Sequence, residues 1–331
     1  MINRFFDSMW YGKRRIAILF LPLSWLFFLI LKCRLFCYQK GWLASTKLSV
    51  PVVVVGNITV GGTGKTPLVI WLAELLKKAG YHPGIISRGY GGIASSWPQQ
   101  VREDSDARVV GDEAKILARR SNCPVAVGPI RVDSANALID HYQCDIIISD
   151  DGMQHYALAR DIEIAIVDGE RRYGNKRLLP AGPLREPLAR LDSVDMVVCN
   201  GLANVGEYPY KVEGMQVVNI ADESTVVPID SFKGKPIHAI AGLGNPARFF
   251  SLLKKNGLTF QTHIFPDHYN FKEQDINFSE DDSAVIMTEK DAVKCTMIAK
   301  ENHWYIPIRA QMTERFGLDF LTQLKNSMAK D

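Results

Sequence analysis

The segment from Val52 to Gly80 constrains the fold more than any other part of this 331-residue chain. It begins with an unbroken run of valines, which predicts a strand buried on both faces of a parallel sheet. A glycine-rich loop follows and ends in Gly-Lys-Thr, and leucines at helical spacing then continue to Gly80. A strand, a glycine loop and a helix in this order are the context that a phosphate-binding loop (P-loop) requires.

The loop itself predicts nucleotide contacts. Glycines let backbone N–H groups approach phosphate oxygens, and the start of the following helix adds a favourable field. We expect Lys65 to reach the β- and γ-phosphates of ATP and the Thr66 hydroxyl to hold Mg²⁺. Thr59 stands where the strict motif has its first glycine, and a glycine loop with a chance Gly-Lys-Thr is the ordinary alternative. The predicted cofactor-binding residues are Thr59, Val60, Gly61, Gly62, Thr63, Gly64, Lys65 and Thr66.

A pair of acids, Asp150 and Asp151, directly follows a second apolar run, Ile146 to Ile148. A P-loop site needs a further acid on the metal side, at the end of a neighbouring strand. Ligands of open α/β sheets bind at that edge. An Asp-Asp-Gly turn is the ordinary alternative, and the nearby P-loop favours the functional interpretation.

Three further polar segments are candidate sites. Asp112 opens an amphipathic helix, where a helix-capping role is the ordinary alternative. Arg185 and Glu186 lie in the proline-held segment PAGPLREP, where a solvated ion pair is the alternative. Asp267 and His268 lie between aromatic residues, and a lone histidine is more often a packed structural residue than a catalyst.

The N-terminal run from Ile16 to Leu31 is apolar and uncharged. As a helix it spans about 24 Å, which is short of the ~30 Å hydrocarbon core of a bilayer, and we expect Pro22 to weaken its middle. No small-residue cleavage site follows, which argues against a signal peptide. Basic residues on both flanks favour an interfacial or partly inserted helix. A single span that includes Leu35 and Phe36, or a buried core helix, are the alternatives.

Bulk composition excludes two classes of protein. The net charge of +3 and the pI near 8.4 are too mild for a nucleic-acid binder. Six cysteines are scattered without a C-x-x-C pair or zinc-like spacing, so we expect reduced thiols rather than disulfides or a zinc site.

Strand-like and helical segments alternate along the rest of the chain, which predicts an α/β fold. We expect a P-loop NTPase-like, mostly parallel sheet domain, a second, smaller α/β domain and an N-terminal membrane-associated helix. The predicted divisions are residues 1–45, 46–225 and 226–331, with the change in a polar stretch from Asp222 to Lys235. Gly242 to Pro246 resembles a nucleotide loop but lacks a third glycine, so we expect a turn that starts a helix.

Taken together, the motifs resemble those of one family, the tetraacyldisaccharide 4'-kinases of bacterial lipid A biosynthesis. The matching segments are VVGNITVGGTGKTP, ISRGYGG, VGDEA, ISDDGMQH, RLLPAGPLREP, FPDHYNF and TEKDAVK, between Val54 and Lys294. The P-loop alone is generic, whereas DDGMQH, LPAGPLREP and FPDHYNF in combination are specific. The family's own P-loop has a glycine pair before Thr-Gly-Lys, which accounts for Thr59.

The resemblance implies transfer of the γ-phosphate of ATP to the 4'-hydroxyl of a tetraacylated glucosamine disaccharide 1-phosphate. It implies catalytic roles for Asp112, His268 and Lys65, and Mg²⁺-side roles for Thr66, Asp150, Asp151 and Glu186. Gln154, His155, Arg185 and Asp267 would be substrate-binding or supporting residues. Because the acceptor stays in the bilayer, the expected location is the cytoplasmic face of the bacterial inner membrane, with no nucleic-acid or obligate protein partner. The basic residues Arg171, Arg172, Lys176 and Arg177 would contact anionic groups or form a solvated loop.

A membrane-associated P-loop ATPase that acts as a regulatory or partitioning switch is the main alternative. It would hydrolyse ATP without a small-molecule acceptor, and His268 and the LREP segment would then need no role. A non-enzymatic scaffold with a relic nucleotide site is less consistent with the intact Lys65, Thr66 and acid pair.

Overall fold

The computed structural model describes residues 2–12, 15–278 and 283–329, and this part of the chain forms two β-sheets covered by helices. The strands are β1 Val52–Gly56, β2 Pro83–Ser87, β3 Gln99–Val101, β4 Val125–Val127, β5 Ile146–Asp150, β6 Ile162–Asp168, β7 Met196–Asn200, β8 Tyr208–Glu213, β9 Gln216–Asn219, β10 Val226–Pro228, β11 Ile237–Ala241, β12 Gln261–Ile264, β13 Ala284–Thr288, β14 His303–Ile306 and β15 Arg309–Met312.

The helices surround both sheets. They are α1 Ile2–Trp10, α2 Leu21–Gln39, α3 Lys65–Lys78, α4 Ala107–Val110, α5 Asp112–Ser121, α6 Arg131–Tyr142, α7 Pro246–Lys255, α8 Glu273–Ile276, α9 Glu289–Cys295 and α10 Glu314–Met328. Shorter 3₁₀ helices cover Arg15–Phe20, Leu188–Ser193 and Ile229–Phe232.

The first sheet has nine strands in the order β15-β8-β7-β6-β1-β5-β2-β4-β3. Its inner strands are parallel, and the two edge strands, β15 and β3, are antiparallel. Strand β1 lies in the middle, between β5 and β6. This confirms the predicted P-loop NTPase-like, mostly parallel sheet, and it puts the loop after β1 beside the carboxyl ends of β5 and β6.

Apolar side chains fill the space on both faces of this sheet. On one face, the leucines of α3 pack with α5 and with Phe316 and Phe320 of α10. On the other face, α6 packs with Met153, Leu158 and Leu184. Burial on both faces explains why β1 is valine-rich throughout rather than alternating.

The second sheet has six strands in the order β10-β9-β14-β13-β11-β12. Its strands lie between Gln216 and Ile306, and the chain then returns to the first sheet through β15 and α10. We call the nine-stranded sheet with its helices the first unit and the six-stranded sheet with its helices the second unit. The predicted domain division at residue 226 stays a prediction. Sheet membership changes near residues 214 and 308, because β9 pairs with β14 and β15 pairs with β8.

The N-terminal apolar segment forms a continuous helical stretch, Ile16–Gln39, and only 11% of an 18-residue apolar part of it is buried in the protein. Helix α2 alone is 19 residues long, or about 28 Å. The stretch is therefore long and apolar enough to cross a membrane, and its exposure excludes the buried core helix. The expectation for Pro22 was wrong, since it lies in the first turn of α2, where a missing N–H costs little. This exposed apolar helix is typical of membrane association.

Candidate active site

The P-loop connects β1 to α3 and is held in one shape by its neighbours. Gly64, the residue before α3, has φ +91°, and a Cβ there would lie 2.7 Å from the Asn200 side chain. Asn200 Nδ2 donates to the Thr63 carbonyl at 3.0 Å, and the Tyr210 hydroxyl donates to the Gly64 carbonyl at 2.9 Å. Glycine is therefore required at position 64, both for its backbone angle and for space.

The opposite side of the loop is open. A Cβ added at Gly61 or Gly62 would meet no atom within 4 Å. In the described residues, the amides of residues 61–64 donate to no protein acceptor. Unpaired N–H groups that precede a helix N-terminus form an anion site, so the loop has the shape and the donors to receive phosphate oxygens.

The segment PAGPLREP runs antiparallel to the beginning of this loop. Val60 donates to the Pro183 carbonyl at 2.8 Å, and Arg185 donates its amide to the Ile58 carbonyl at 2.7 Å. These backbone bonds bring Arg185 and Glu186 to the P-loop across more than a hundred residues of sequence.

The predicted acid pair stands next to Lys65. Lys65 Nζ lies 3.4 Å from Asp151 Oδ1, and Arg185 lies 3.2 Å from Asp151 Oδ2. Burial acts to raise the pKa of Asp151, but the two cations outweigh it and hold the pKa below its usual range. Lys65, Asp151 and Arg185 are therefore brought together as a charged cluster at the edge of the sheet.

The pKa of Asp150 is shifted in the opposite direction from that of Asp151. It is 1% exposed, and burial, reinforced by Glu113, raises its pKa to about 7. Its Oδ1 atom is buried and has no hydrogen-bond partner. The guanidinium of Arg131, buried beneath the turn, bonds the Asp150 carbonyl at 2.8 Å rather than the carboxylate.

This unpartnered carboxylate oxygen fits a divalent cation. Mg²⁺ is usually held by one or two carboxylates together with substrate phosphates, and Asp150, Asp151 and Thr66 supply such donors beside the P-loop. Among the described residues, no cluster of three or more His, Cys, Asp or Glu side chains forms a ready-made metal site. A cation here would depend on the nucleotide for its remaining ligands.

Glu186 has a different environment from the one predicted. Its two carboxylate oxygens accept hydrogen bonds from Gln154 at 2.6 Å and Tyr156 at 2.5 Å, and Arg190 lies 3.2 Å away. The side chain is 2% exposed. These contacts do not support a direct metal-ligand role; Glu186 instead fixes Gln154, which also bonds the Asn57 carbonyl at 3.0 Å.

His155 lies in the same turn, partly buried among arginines. Burial, together with nearby Arg131 and Arg160, lowers its pKa to about 4. The imidazole is therefore neutral at physiological pH. The buried Nε2 atom has no hydrogen-bond partner, and the contacts give His155 no direct link to the acid pair.

Asp112 and His268 meet across the two units. His268 Nδ1 lies 3.0 Å from Asp112 Oδ2. Asp112 is the first residue of α5 and its N-cap is Gly111, so the capping alternative does not apply. Burial acts to raise the pKa of Asp112, but the His268 hydrogen bond and Lys294 lower it below its usual range. The carboxylate is therefore ionised at neutral pH and can accept a hydrogen bond from a substrate hydroxyl.

Two lysines of the TEKDAVK segment surround this pair. Lys290 bonds Asp267 at 3.2 Å and Glu113 at 3.1 Å, and the neighbouring carboxylates raise its pKa despite burial. Lys294 pairs with Asp291 at 3.0 Å and lies 3.8 Å from Asp112. Asp267 therefore contacts both Lys290 and His268, whose backbone amide donates to Asp267 Oδ1 at 3.1 Å.

Sequence reasoning missed several residues that shape the site. Asn200 ends a strand of the parallel sheet, which is a usable signal because polar residues at such ends face the ligand edge. Tyr210, Arg131 and Arg248 carry no such signal, since their contacts depend on how separate elements pack. Two residues of the basic stretch form ion pairs with other parts of the protein: Arg171 contacts Asp7 and Arg172 contacts Glu207.

Fold and site together define a class: this is a P-loop nucleotide-binding protein whose loop, acid pair and Asp112–His268 pair face one edge of a parallel sheet. Within that class, the chain belongs to the tetraacyldisaccharide-1-P 4'-kinase (LpxK) family, whose model matches residues 16–325.

Known proteins agree with this assignment. Tetraacyldisaccharide 4'-kinase of Nitrosococcus oceani is 51% identical and covers 97% of this chain and 94% of its own length. The Methylobacillus flagellatus kinase is 46% identical over 99% of this chain and 98% of its own length. A crystal structure of Aquifex aeolicus LpxK in complex with ATP is 30% identical, with a TM-score of 0.79, and it covers 93% of this chain and 98% of that one. The predicted family and fold are confirmed, and the regulatory ATPase is not favoured.

Proposed function

We propose that this protein transfers the γ-phosphate of ATP to the 4'-hydroxyl of a tetraacylated glucosamine disaccharide 1-phosphate. The observation that carries the proposal is the contact between Asp112 and His268. It gives a P-loop protein a carboxylate aimed by a histidine from the other unit, which a simple ATPase switch does not need. Membership of the tetraacyldisaccharide 4'-kinase family supports the same conclusion.

Phosphoryl transfer needs alignment and charge stabilisation more than covalent chemistry. The loop amides and Lys65 would hold the phosphates, and Arg185 and Asp151 would keep Lys65 in place. The donors fit Mg²⁺ held by Thr66, Asp150 and Asp151, which when bound would neutralise charge on the phosphate oxygens. Glu186, through Gln154, would keep the P-loop and the acid turn together.

Asp112 would orient the acceptor hydroxyl and take its proton as the new O–P bond forms. Its Oδ2 atom is held by His268, so Oδ1 remains for the substrate. The His268 hydrogen bond favours the carboxylate over the neutral acid, so Asp112 would release the proton to solvent after the transfer. Asp267, bound to Lys290, would support the position of His268 from behind.

The acyl chains of the acceptor place the reaction at a bilayer. We infer that the helix Ile16–Gln39 holds the enzyme in the inner membrane, with both units on the cytoplasmic side where ATP is available. Ser24 ties this helix to the LPAGP segment: it donates to the Leu178 carbonyl and accepts from the Ala181 amide. The membrane anchor is thereby linked directly to the segment that pairs with the P-loop.

A transfer assay tests the proposal. The purified full-length protein, in detergent micelles with γ-labelled ATP, Mg²⁺ and the tetraacylated disaccharide 1-phosphate, should yield a lipid labelled at the 4'-position. Lys65→Ala is the inactive control. Release of free phosphate at the same rate with and without the lipid, and no labelled lipid, would instead identify an ATPase.

A further inference from the structure

One arginine of the second unit contacts residues of the first unit that lie beside the P-loop. Arg248, in the first turn of α7, lies 2.6 Å from Asn200 Oδ1 and 3.7 Å from Asp168 Oδ2. Asn200 and Asp168 end the neighbouring strands β7 and β6 and are nearly fully buried. The Arg248 side chain is 37% exposed, so it spans the space between the units rather than lying in either core.

The side-chain amide of Asn200 links Arg248 to the P-loop. Its Oδ1 accepts from Arg248 while its Nδ2 donates to the Thr63 carbonyl. A trans peptide points its C=O and its N–H in opposite directions. Holding the Thr63 carbonyl against Asn200 therefore points the Gly64 amide the other way, to the open side of the loop. Tyr210 acts on the next peptide in the same manner through the Gly64 carbonyl.

We propose that Arg248 is a positioning residue that orients Asn200 and thereby the P-loop amides that receive the phosphates of ATP. This rests on the proposed function only in taking ATP as the nucleotide. Arg248 and His268 belong to the same unit, so the second unit contacts both the support of the P-loop and Asp112.

The geometry assigns Arg248 a role distinct from that of Lys290 and Lys294. Those lysines contact the Asp112 side of the site, whereas Arg248 contacts strand ends on the other flank of the P-loop. Loss of Arg248 should therefore affect ATP and leave the lipid site unchanged.

Arg248→Gln removes the positive charge and the guanidinium hydrogen-bond donors. Because position 248 is partly exposed, the variant should fold. We expect the KM for ATP, and the ATP dissociation constant measured calorimetrically without lipid, to rise about tenfold, as for loss of a charged hydrogen bond. The KM for the lipid should change less than about twofold. Arg248→Lys, which keeps the charge, should recover part of the ATP affinity. Lys255→Gln, which removes an exposed charge from the same helix, is the matched control.

A double variant tests whether Arg248 acts through Asn200. If it does, Arg248→Gln should weaken ATP binding no further in an Asn200→Ala background. Equal effects of Arg248→Gln and Lys255→Gln on ATP binding, a parallel rise in both KM values, or full additivity with Asn200→Ala would each overturn the proposal. Failure of the wild-type protein to label the lipid would refute the kinase function instead, while the calorimetric ATP comparison would still decide the role of Arg248.

Discussion

Asp150 and Asp151 are neighbours in the chain, yet the pKa values of their carboxyl groups are shifted in opposite directions. Asp151 faces Lys65 and Arg185 and stays ionised, whereas Asp150 is enclosed without a donor and has its pKa raised to about 7. Asp150 is the last residue of β5, whereas Asp151 lies in the turn that follows and has φ +49°. Near neutral pH Asp150 is thus partly protonated, and a bound cation would favour its ionised form.

This difference predicts a pH-dependent stability for the ligand-free protein. Between about pH 4, the usual pKa of an unfolded aspartate, and pH 7, folded Asp150 keeps a proton that the unfolded chain releases. Its stabilising contribution is complete below that range and is lost as the pH rises through 7. Relative to Asp150→Asn, the wild-type free energy of unfolding should fall by about 3 kcal/mol from pH 5 to pH 8.

Urea unfolding of both proteins in EDTA at the two pH values measures this difference. Titrating groups that do not interact with Asp150 are common to the two proteins and cancel in the comparison. Parallel pH profiles for the wild type and the variant would show that Asp150 is ionised in the ligand-free fold.

Asp112 and His268 should behave as one catalytic unit. We expect Asp112→Ala and His268→Ala each to lower kcat by about 10²–10⁴-fold, the usual value of general-base assistance, while ATP still binds. The double variant should lose little more than either single one. Steady-state kinetics measure the change in kcat, and calorimetric titration measures ATP binding. Lys65→Ala should impair the use of ATP as phosphate donor more than Asp112→Ala or His268→Ala does. Normal turnover in both single variants would show that Asp112 and His268 do not act as a catalytic pair.

At the level of elements, the P-loop depends on strands that are distant in sequence. Its glycines have unequal roles, because Gly64 is packed against Asn200 and Tyr210 whereas Gly62 faces open space. The two positions therefore separate structure from ligand binding.

Gly64→Ala and Gly62→Ala should fail in different ways. Gly64→Ala forces a Cβ into a left-handed residue that already touches Asn200, so both the melting temperature and activity should drop. Gly62→Ala should melt like the wild type but bind ATP at least about tenfold more weakly, because its methyl group would occupy space for phosphate. Thermal denaturation and ATP titration of both variants check this. Equal melting temperatures for the two would contradict the packing argument.

The parts of the site that could be predicted from sequence are local. Strand, loop and helix around Lys65 lie within thirty residues, and the acid pair sits at a strand end whose position in a parallel sheet is fixed by topology. The pairing of PAGPLREP with Ile58 and Val60, and the crossing of Arg248 to Asn200, depend on how distant segments pack. Pattern alone identifies Glu186 as an acid near the site, but only the fold reveals that Tyr156, Gln154 and Arg190 already bind it.

For the whole molecule, the exposed face of α2 should decide where the protein resides. Leu26, Leu29 and Ile30 are each more than half exposed, and glutamine at these positions is costly in a bilayer. The triple variant should move from the membrane pellet to the supernatant at low detergent, while it still phosphorylates lipid presented in micelles. Leu202→Gln, Val205→Gln and Met297→Gln, at exposed positions elsewhere, should leave fractionation unchanged. Continued sedimentation of the α2 variant would place the membrane contact outside this helix.

The chain enters and leaves the second unit at adjacent points. Strands β8 and β15 pair at the edge of one sheet, with Glu213 opposite Arg309, and β9 and β14 continue the same antiparallel ribbon in the other, with Val218 opposite Tyr305. The second unit is therefore held at both ends of its chain by one antiparallel ribbon. Any bending of this ribbon would change the distances from Arg248 to Asn200 and from His268 to Asp112 together.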